Sequence, residues 1–353
     1  MKLNNLQILR FIAAGLVLFS HVQHQAQKLF AANSSFDVFE PIYWAGGVDI
    51  FFVISGFIMY YIASEKFGAK GAAFGFLLKR LARIAPPYWL FTVLMVISTV
   101  LFAKHISHPD FSFSLLLSSL FFIPKVNSYG LFYPVLMLGW TLNFEFFFYI
   151  VFSIGLLFNR KPGVVLIVLM LLMIASLKFV INVEGTSFAF YSNTIIFEFV
   201  FGIFLAICFL SGLRFPLLLS VCVVLLSIVL MVTLKSAGIA SNYWPYRFLW
   251  MGLPALLLCS GFVLCDVKDN HSTNIFRDFL SFMGDASYSL YLSHPFSLNL
   301  IALLWVKCKF GAPWLYVGIS CFFSLLCAVF VYLWIEKPLV GFSSRLLAIR
   351  SQK

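Results

Sequence analysis

Ten stretches of this chain are each apolar over the roughly 20 residues that a helix needs to cross a bilayer. The stretches cover residues 5–27, 44–64, 85–103, 132–158, 163–182, 188–211, 215–234, 246–266, 284–306 and 313–336. Hydrophobic residues make up 62% of the 353 positions and charged residues only 10%, too few to cover a water-facing surface. We therefore expect an all-α integral membrane protein, a single domain over residues 1–353 forming one bundle of about ten transmembrane helices.

The positions of the basic residues predict how such a bundle is oriented. If the N-terminus is cytoplasmic, twice as many Lys and Arg residues fall on the cytoplasmic side as on the other. Cytoplasmic loops of membrane proteins carry such an excess. The pattern predicts that both termini are cytoplasmic. It also accounts for the net charge of +11 without nucleic acid as a partner.

Arg10 and His21 are ionisable residues within the first predicted helix. About three helical turns separate them, so they share one face and lie about 16 Å apart along the axis. An ionisable side chain inside a membrane helix costs roughly 2.5–3.5 kcal/mol on insertion scales and needs a reason to be there. We expect this stripe to line a cavity, with Arg10 near its cytoplasmic mouth and His21 deep inside.

Asp49 opens the second predicted helix at a depth similar to that of His21. A carboxylate beside an imidazole would fix its tautomer and stabilise the imidazolium, as general-base catalysis requires. A buried His–Asp pair that only locks two helices together fits the spacing equally well. His294, next to Pro295 in a later helix, is a competing candidate for the base.

Glu145 lies in the aromatic run Trp140–Tyr149, where a carboxyl group would be neutral or paired. It could partner a basic residue of the cavity, take part in catalysis, or only anchor its helix through hydrogen bonds.

Arg80 and Arg83 are three residues apart and therefore neighbours on a helix face. Guanidinium groups suit phosphate, so with Arg10 they could bind the phosphates of a nucleotide-like donor. Ordinary topology-setting charge is the alternative explanation. The Pro86-Pro87 pair that follows predicts a helix break.

These motifs resemble those of the acyltransferase-3 family of bacterial membrane proteins. The similarity runs in order along the whole chain. It is carried by Arg10 with His21, by residues 47–57, 80–88, 140–149 and 287–295, and by the closing residues 334–338.

The resemblance implies transfer of an acyl group, commonly acetyl, from cytoplasmic acyl-CoA to a hydroxyl of a cell-surface or exported polysaccharide. Residues 1–7 and the motif of the second helix are similar to members that act on exopolysaccharide. The family's Arg and His motif falls on Arg10 and His21, and its Glu falls on Glu145. Many members have two consecutive Glu residues followed by Gln in this motif, whereas this chain has Phe146 and Phe147 in those places. Glu145 is then the only carboxylate of the motif, which puts a two-carboxylate scheme in doubt.

The expected protein is thus a multi-pass enzyme of the bacterial inner membrane that uses acetyl-CoA as acyl donor and needs no metal. Its expected partners are a polysaccharide or lipid-linked glycan acceptor, the lipid bilayer and polysaccharide-assembly proteins. The expected catalytic residues are His21, Asp49 and Glu145, and the expected donor-binding residues are Arg10, Arg80 and Arg83. The expected cavity walls are Tyr88, Trp140, Tyr149, Tyr291 and His294.

A transporter or flippase for a lipid-linked glycan is the alternative function. In that case the intramembrane charges would lie along a permeation path.

Overall fold

The computed structural model describes residues 3–31, 36–102, 111–180, 185–238, 246–266, 274–308 and 311–350. Within these ranges the chain forms helices and no β-strand, apart from one isolated bridge between Phe215 and Cys265. The all-α class is therefore confirmed. Six helices of the described part are long and apolar enough to cross a membrane. The count of about ten spans and the cytoplasmic position of both termini stay predictions.

The α-helices are numbered in chain order. They are α1 Asn4–Phe30, α2 Gly47–Ala63, α3 Ala72–Phe102, α4 Phe113–Leu120, α5 Gly139–Gly155, α6 Arg160–Ser176, α7 Ser187–Tyr191, α8 Phe197–Leu210, α9 Leu217–Ser236, α10 Leu253–Val263, α11 Ile275–Asp285, α12 Ser287–Cys308, α13 Pro313–Val331 and α14 Lys337–Arg350. Short π-helical segments precede α10 at Phe248–Gly252 and follow α13 at Tyr332–Glu336.

Each of the ten predicted stretches overlaps one of these helices, but several helices are shorter than the apolar run that predicted them. Helices α5 and α6 have 17 residues each, α8 has 14 and α10 has 11. The apolar run continues into turns and 3₁₀ or π segments, so hydrophobicity alone overestimates the helix length.

The predicted helix break at Pro86-Pro87 is wrong, because α3 continues from Ala72 to Phe102 with both prolines inside it. Proline removes a backbone N–H and crowds the carbonyl one turn earlier. Membrane helices nevertheless tolerate it, because neighbouring groups and local adjustments satisfy the few backbone groups that are freed. The helix also begins well before the apolar run at residue 85, since its first turns carry Lys79, Arg80 and Arg83.

The chain divides into two compact units, of which the first comprises Met1–Ile58 and Phe197–Tyr332. Helix α1 is its central element and packs against α10, α11, α12 and α13. One face of α1 places a buried apolar residue at every fourth position, the spacing of a helix face that packs against protein. These residues are Ala14, Leu18, Val22, Ala26 and Phe30.

Two glycines set the crossing of α2 and α8 in this unit. A Cβ added to Gly56 would lie 2.1 Å from the carbonyl oxygen of Phe199, and one added to Gly202 would lie 2.1 Å from that of Val53. The two backbones are therefore in direct contact. Small residues allow this approach between membrane helices, whose association depends on close van der Waals packing.

The second unit comprises Met59–Ile196 and Leu333–Lys353. In it α3 packs against α4, α5 and α14, and α5 packs against α6. Gly139, the first residue of α5, leaves room for the hydroxyl end of Tyr88 on α3, which would lie 2.4 Å from an added Cβ. The Tyr88 ring stacks on Phe122 at 5.1 Å.

Replacement of Gly56 by Ala should prevent the contact between α2 and α8, because the added methyl group would overlap backbone rather than a flexible side chain. We expect a loss of about 3 kcal/mol or more in the free energy of unfolding, at or beyond the upper range for overpacking. Thermal unfolding of the purified protein in detergent measures it. Gly15→Ala on α1 is the matched control, since its Cβ would meet nothing within 4 Å, and it should be neutral or slightly stabilising. Equal stability of the two variants would contradict the crossing.

Candidate active site

Two histidines from distant parts of the chain meet inside the first unit. Helix α1 carries His21 and α12 carries His294, whose side chain is 1% exposed. The Nδ1 atom of His21 lies 2.9 Å from Nε2 of His294. On its other side, the His294 ring places Nδ1 3.0 Å from the carbonyl oxygen of Leu290, one turn earlier on α12. The two imidazoles form a hydrogen-bonded chain that ends on the backbone.

The surroundings of His294 are aromatic and hydroxylic. The ring of Tyr291 lies 6.2 Å from the His294 ring, edge to face. Ser297 donates a hydrogen bond from its hydroxyl to the His294 carbonyl at 3.0 Å and shares another with Ser324 of α13 at 2.7 Å. The structure thus brings together His21, His294 and Tyr291 of the residues that the sequence singled out.

Asp49 is fully buried and forms a two-pronged ion pair with Arg247. The Nε atom of Arg247 lies 2.9 Å from Oδ1 of Asp49, and Nη2 lies 2.7 Å from Oδ2. The pair of His21 with Asp49 that similar depth suggested is therefore wrong: the carboxylate binds Arg247, and His21 binds His294. A planar guanidinium satisfies both oxygens of a carboxylate at once, which one imidazole nitrogen cannot do.

Glu198 adds a second carboxyl group to this cluster. It lies in the first turn of α8, is 0% exposed, and interacts electrostatically with both Asp49 and Arg247. Neither Glu198 nor Arg247 was among the residues singled out from the sequence. The signal was present, because both are ionisable residues inside predicted spans, at 188–211 and 246–266.

The second unit brings together four other predicted residues on α3 and α5. The Tyr149 hydroxyl donates a hydrogen bond to Oε1 of Glu145. Arg80 interacts electrostatically with Glu145, Tyr149 and Arg83, and its guanidinium lies 5.8 Å from the centre of the Phe76 ring. These contacts give Glu145 a basic neighbour, one of the alternatives that its sequence context left open.

Three further residues that the sequence predicted for the site are Arg10, Tyr88 and Trp140. Arg10 belongs to the first unit, is 9% exposed, and donates a hydrogen bond to Oε1 of Gln7 at 3.0 Å. In the second unit Tyr88 is fully buried, and Trp140 meets Phe144 edge to face at 6.0 Å.

Asn143 on α5 is a residue that the sequence reasoning missed. Its side chain is 0% exposed, and within the described part of the chain neither its amide nitrogen nor its amide oxygen has a hydrogen-bond partner. A buried amide without partners is costly. Its position inside the aromatic run 140–149, three residues after Trp140, was the available signal.

A chain of neutral polar groups lies one helical turn beyond the histidine pair. The Tyr316 hydroxyl donates to Oε1 of Gln25 at 2.6 Å, and Nε2 of Gln25 donates to Oδ1 of Asn299 at 3.1 Å. Gln25 follows His21 by four residues on α1 and so lies on the same helix face. Amide and phenol groups of this kind are able to bind hydroxyl groups.

Among the residues that the structure describes, no three or more His, Cys, Asp or Glu side chains form a group that could hold a metal ion.

Comparison with known proteins identifies the same family over nearly the whole chain. Residues 3–333 match the acyltransferase-3 family, whose description is an acyltransferase domain. The chain is 31% identical over 297 residues to the exopolysaccharide production protein ExoZ of Rhizobium meliloti (strain 1021), an alignment that covers 84% of this chain and 89% of that protein. No solved structure matches the chain.

Replacement of Asp49 by Ala should destabilise the fold, because it leaves the largely buried Arg247 guanidinium without its bidentate partner. Removing one member of a buried pair costs about 3–5 kcal/mol, whereas exchanging both members for apolar residues is often neutral. We expect the double variant Asp49→Leu, Arg247→Met to regain most of the stability that Asp49→Ala loses. Thermal unfolding in detergent compares the two. An Asp49→Ala protein as stable as wild type would contradict this structural role.

Proposed function

This chain belongs to the acyltransferase-3 family, and on that premise we propose that it is a membrane O-acyltransferase of exopolysaccharide. It moves an acyl group, acetyl in the first instance, from acyl-CoA to a sugar hydroxyl. The observation that carries the proposal is the partly buried His21–His294 pair, in a chain that the family matches over residues 3–333. The name of the relative ExoZ, which refers to exopolysaccharide production, supports this class of acceptor.

The reaction needs a base, and we assign that role to His21. The imidazole takes the proton of the acceptor hydroxyl while the hydroxyl oxygen attacks the thioester carbonyl. A carbon–oxygen bond forms and the carbon–sulfur bond of acyl-CoA breaks. The imidazolium then returns the proton to the departing CoA thiolate, so the enzyme ends in its starting state.

A covalent route through an acyl-imidazole on His21 uses the same atoms in two steps. In the first step His21 attacks the thioester and releases the CoA thiolate. In the second, the acceptor hydroxyl displaces the imidazole and its proton passes to the thiolate.

Arg80 and Arg83 are the side chains that we assign to the phosphates of the donor. They are adjacent on α3, and guanidinium groups bind phosphate through charge-assisted hydrogen bonds. Glu145 and Tyr149 support Arg80 electrostatically, which gives Glu145 a part in donor binding rather than in proton transfer. Arg10, near the start of α1, is the third basic residue proposed for the donor.

The proposed setting is the cytoplasmic membrane of a bacterium, with the donor arriving from the cytoplasm. The acceptor is a growing or lipid-linked polysaccharide. Three polar groups of the first unit are suited to its hydroxyls. Gln25 follows His21 on α1, Asn299 follows His294 on α12, and Tyr316 lies on α13 within hydrogen-bond distance of Gln25.

Replacement of His21 by Ala should lower acyl transfer by about 10²-fold or more, the range that general acid–base catalysis contributes. Mass spectrometry of O-acyl groups on the secreted polysaccharide, in a deletion strain that carries each variant, measures it. His24→Ala is the matched control, because His24 lies on the same helix with an exposed side chain and should leave acylation unchanged. Normal acylation with His21→Ala would contradict the role of His21. Unexported but normally acylated polysaccharide in the deletion strain would favour a transporter.

Replacement of Arg80 by Gln should raise the KM for acyl-CoA by about tenfold or more, since hydrogen bonds to charged groups are worth roughly 1.5–3 kcal/mol. Transfer of radiolabelled acetyl from acetyl-CoA in isolated membranes measures the change. Lys79→Gln removes an exposed charge from the same turn of α3 and should have little effect. Equal effects of the two variants would assign Arg80 to general surface charge instead of donor binding.

A further inference from the structure

We propose that His294 positions His21 as a base that accepts protons at Nε2, by fixing the hydrogen of His21 on Nδ1. In this arrangement His294 is a positioning residue and a neutral imidazole replaces the carboxylate that usually orients a catalytic histidine. The inference rests on the proposed function in one respect, which is that the proton accepted by His21 comes from the sugar hydroxyl. The tautomer itself belongs to the resting protein.

The argument begins at the backbone, where the direction of the hydrogen bond is fixed. A carbonyl oxygen can only accept, so Nδ1 of His294, which lies 3.0 Å from the Leu290 oxygen, carries a hydrogen. A neutral imidazole has one N–H group. The Nε2 atom of His294 therefore has no hydrogen and can only accept.

The direction of the first hydrogen bond also determines the direction of the bond between the two histidines. Nε2 of His294 lies 2.9 Å from Nδ1 of His21, which is hydrogen-bond distance between nitrogens. Because Nε2 of His294 is the acceptor, the hydrogen must reside on Nδ1 of His21. The Nε2 atom of His21 then keeps its lone pair and is the atom able to take a proton.

Burial keeps the His294 ring in the neutral state on which this argument depends. The His294 side chain is 1% exposed, and an imidazolium there would be poorly solvated and would repel a proton arriving at His21. The carboxylate that could have stabilised such a charge, Asp49, has both oxygens bonded to Arg247. The pair therefore depends on hydrogen-bond direction rather than on charge.

Hydrogen bonds within α12 and with α13 hold the backbone around His294 in place. Pro295 has no N–H, so α12 lacks one of its own hydrogen bonds directly beside the ring. Ser297 anchors this part of the helix by donating to the His294 carbonyl and by bonding to Ser324 of α13. These contacts anchor His294 without occupying either of its ring nitrogens.

The first test compares two substitutions of similar length at position 294. In His294→Gln an amide oxygen can still accept from Nδ1 of His21, whereas His294→Met offers no comparable acceptor. We expect kcat of the Gln variant to stay within about tenfold of wild type and kcat of the Met variant to fall about 10²-fold, as for loss of a group that orients a catalytic residue. The KM for acetyl-CoA should be unchanged in both, with rates expressed per folded protein. Full activity of the Met variant, or equal loss in both variants, would overturn the proposal.

The second test reads the tautomer without any reaction. Solid-state nitrogen NMR of protein labelled with ¹⁵N-histidine in lipid bilayers distinguishes protonated from bare ring nitrogens, and a His21→Gln sample identifies the His21 signals. We expect Nδ1 protonated and Nε2 bare in wild type, and loss of this preference in His294→Met. A wild-type His21 with its hydrogen on Nε2 would overturn the inference. The expected tautomer in a protein that transfers no acyl group from acetyl-CoA would support the inference and refute the proposed function instead.

Discussion

Charged side chains buried among apolar helices have to neutralise one another, and in this protein that requirement governs the first unit. Asp49 and Arg247 satisfy each other with two hydrogen bonds, and Glu198 lies in the same cluster. A buried charge without a partner would cost several kcal/mol, so α2, α8 and the segment before α10 must meet at this point. The glycine contact between α2 and α8 permits it sterically. One consequence is that His21 has a histidine, and not a carboxylate, as its partner.

The helices could be predicted from the sequence because long apolar runs allow little else, and each predicted run overlaps a helix. The ends of the helices could not, since hydrophobicity does not distinguish a helical turn from a 3₁₀ or π turn, as at Phe248–Gly252. The break expected at Pro86 and Pro87 failed for a related reason: the cost of a proline depends on which neighbours satisfy the backbone, and that is a property of the packed protein.

The residues of the candidate site could likewise be predicted only in part from the sequence. His21 and His294 were both recognised as costly residues that need a reason, and the structure joins them. The partner of His21 was mispredicted because helix register gives the depth of a side chain but not the direction in which it points. Arg247 was counted only as a topological charge, although a buried Asp49 required a cation somewhere nearby. Matching each intramembrane acid with a basic residue would have suggested that pair. The same matching would not have identified Asn143, because a neutral amide requires no oppositely charged partner.

The histidine pair joins two helices through residues that are 273 positions apart in the sequence. Helix α1 is therefore synthesised well before α12. Each enters the membrane with a neutral ring, which is cheaper to insert than a carboxylate and a cation would be. A chain that still lacks α12 thus carries His21 without the ring that it bonds. In biosynthetic terms, this contact forms only after α12 has entered the membrane beside α1.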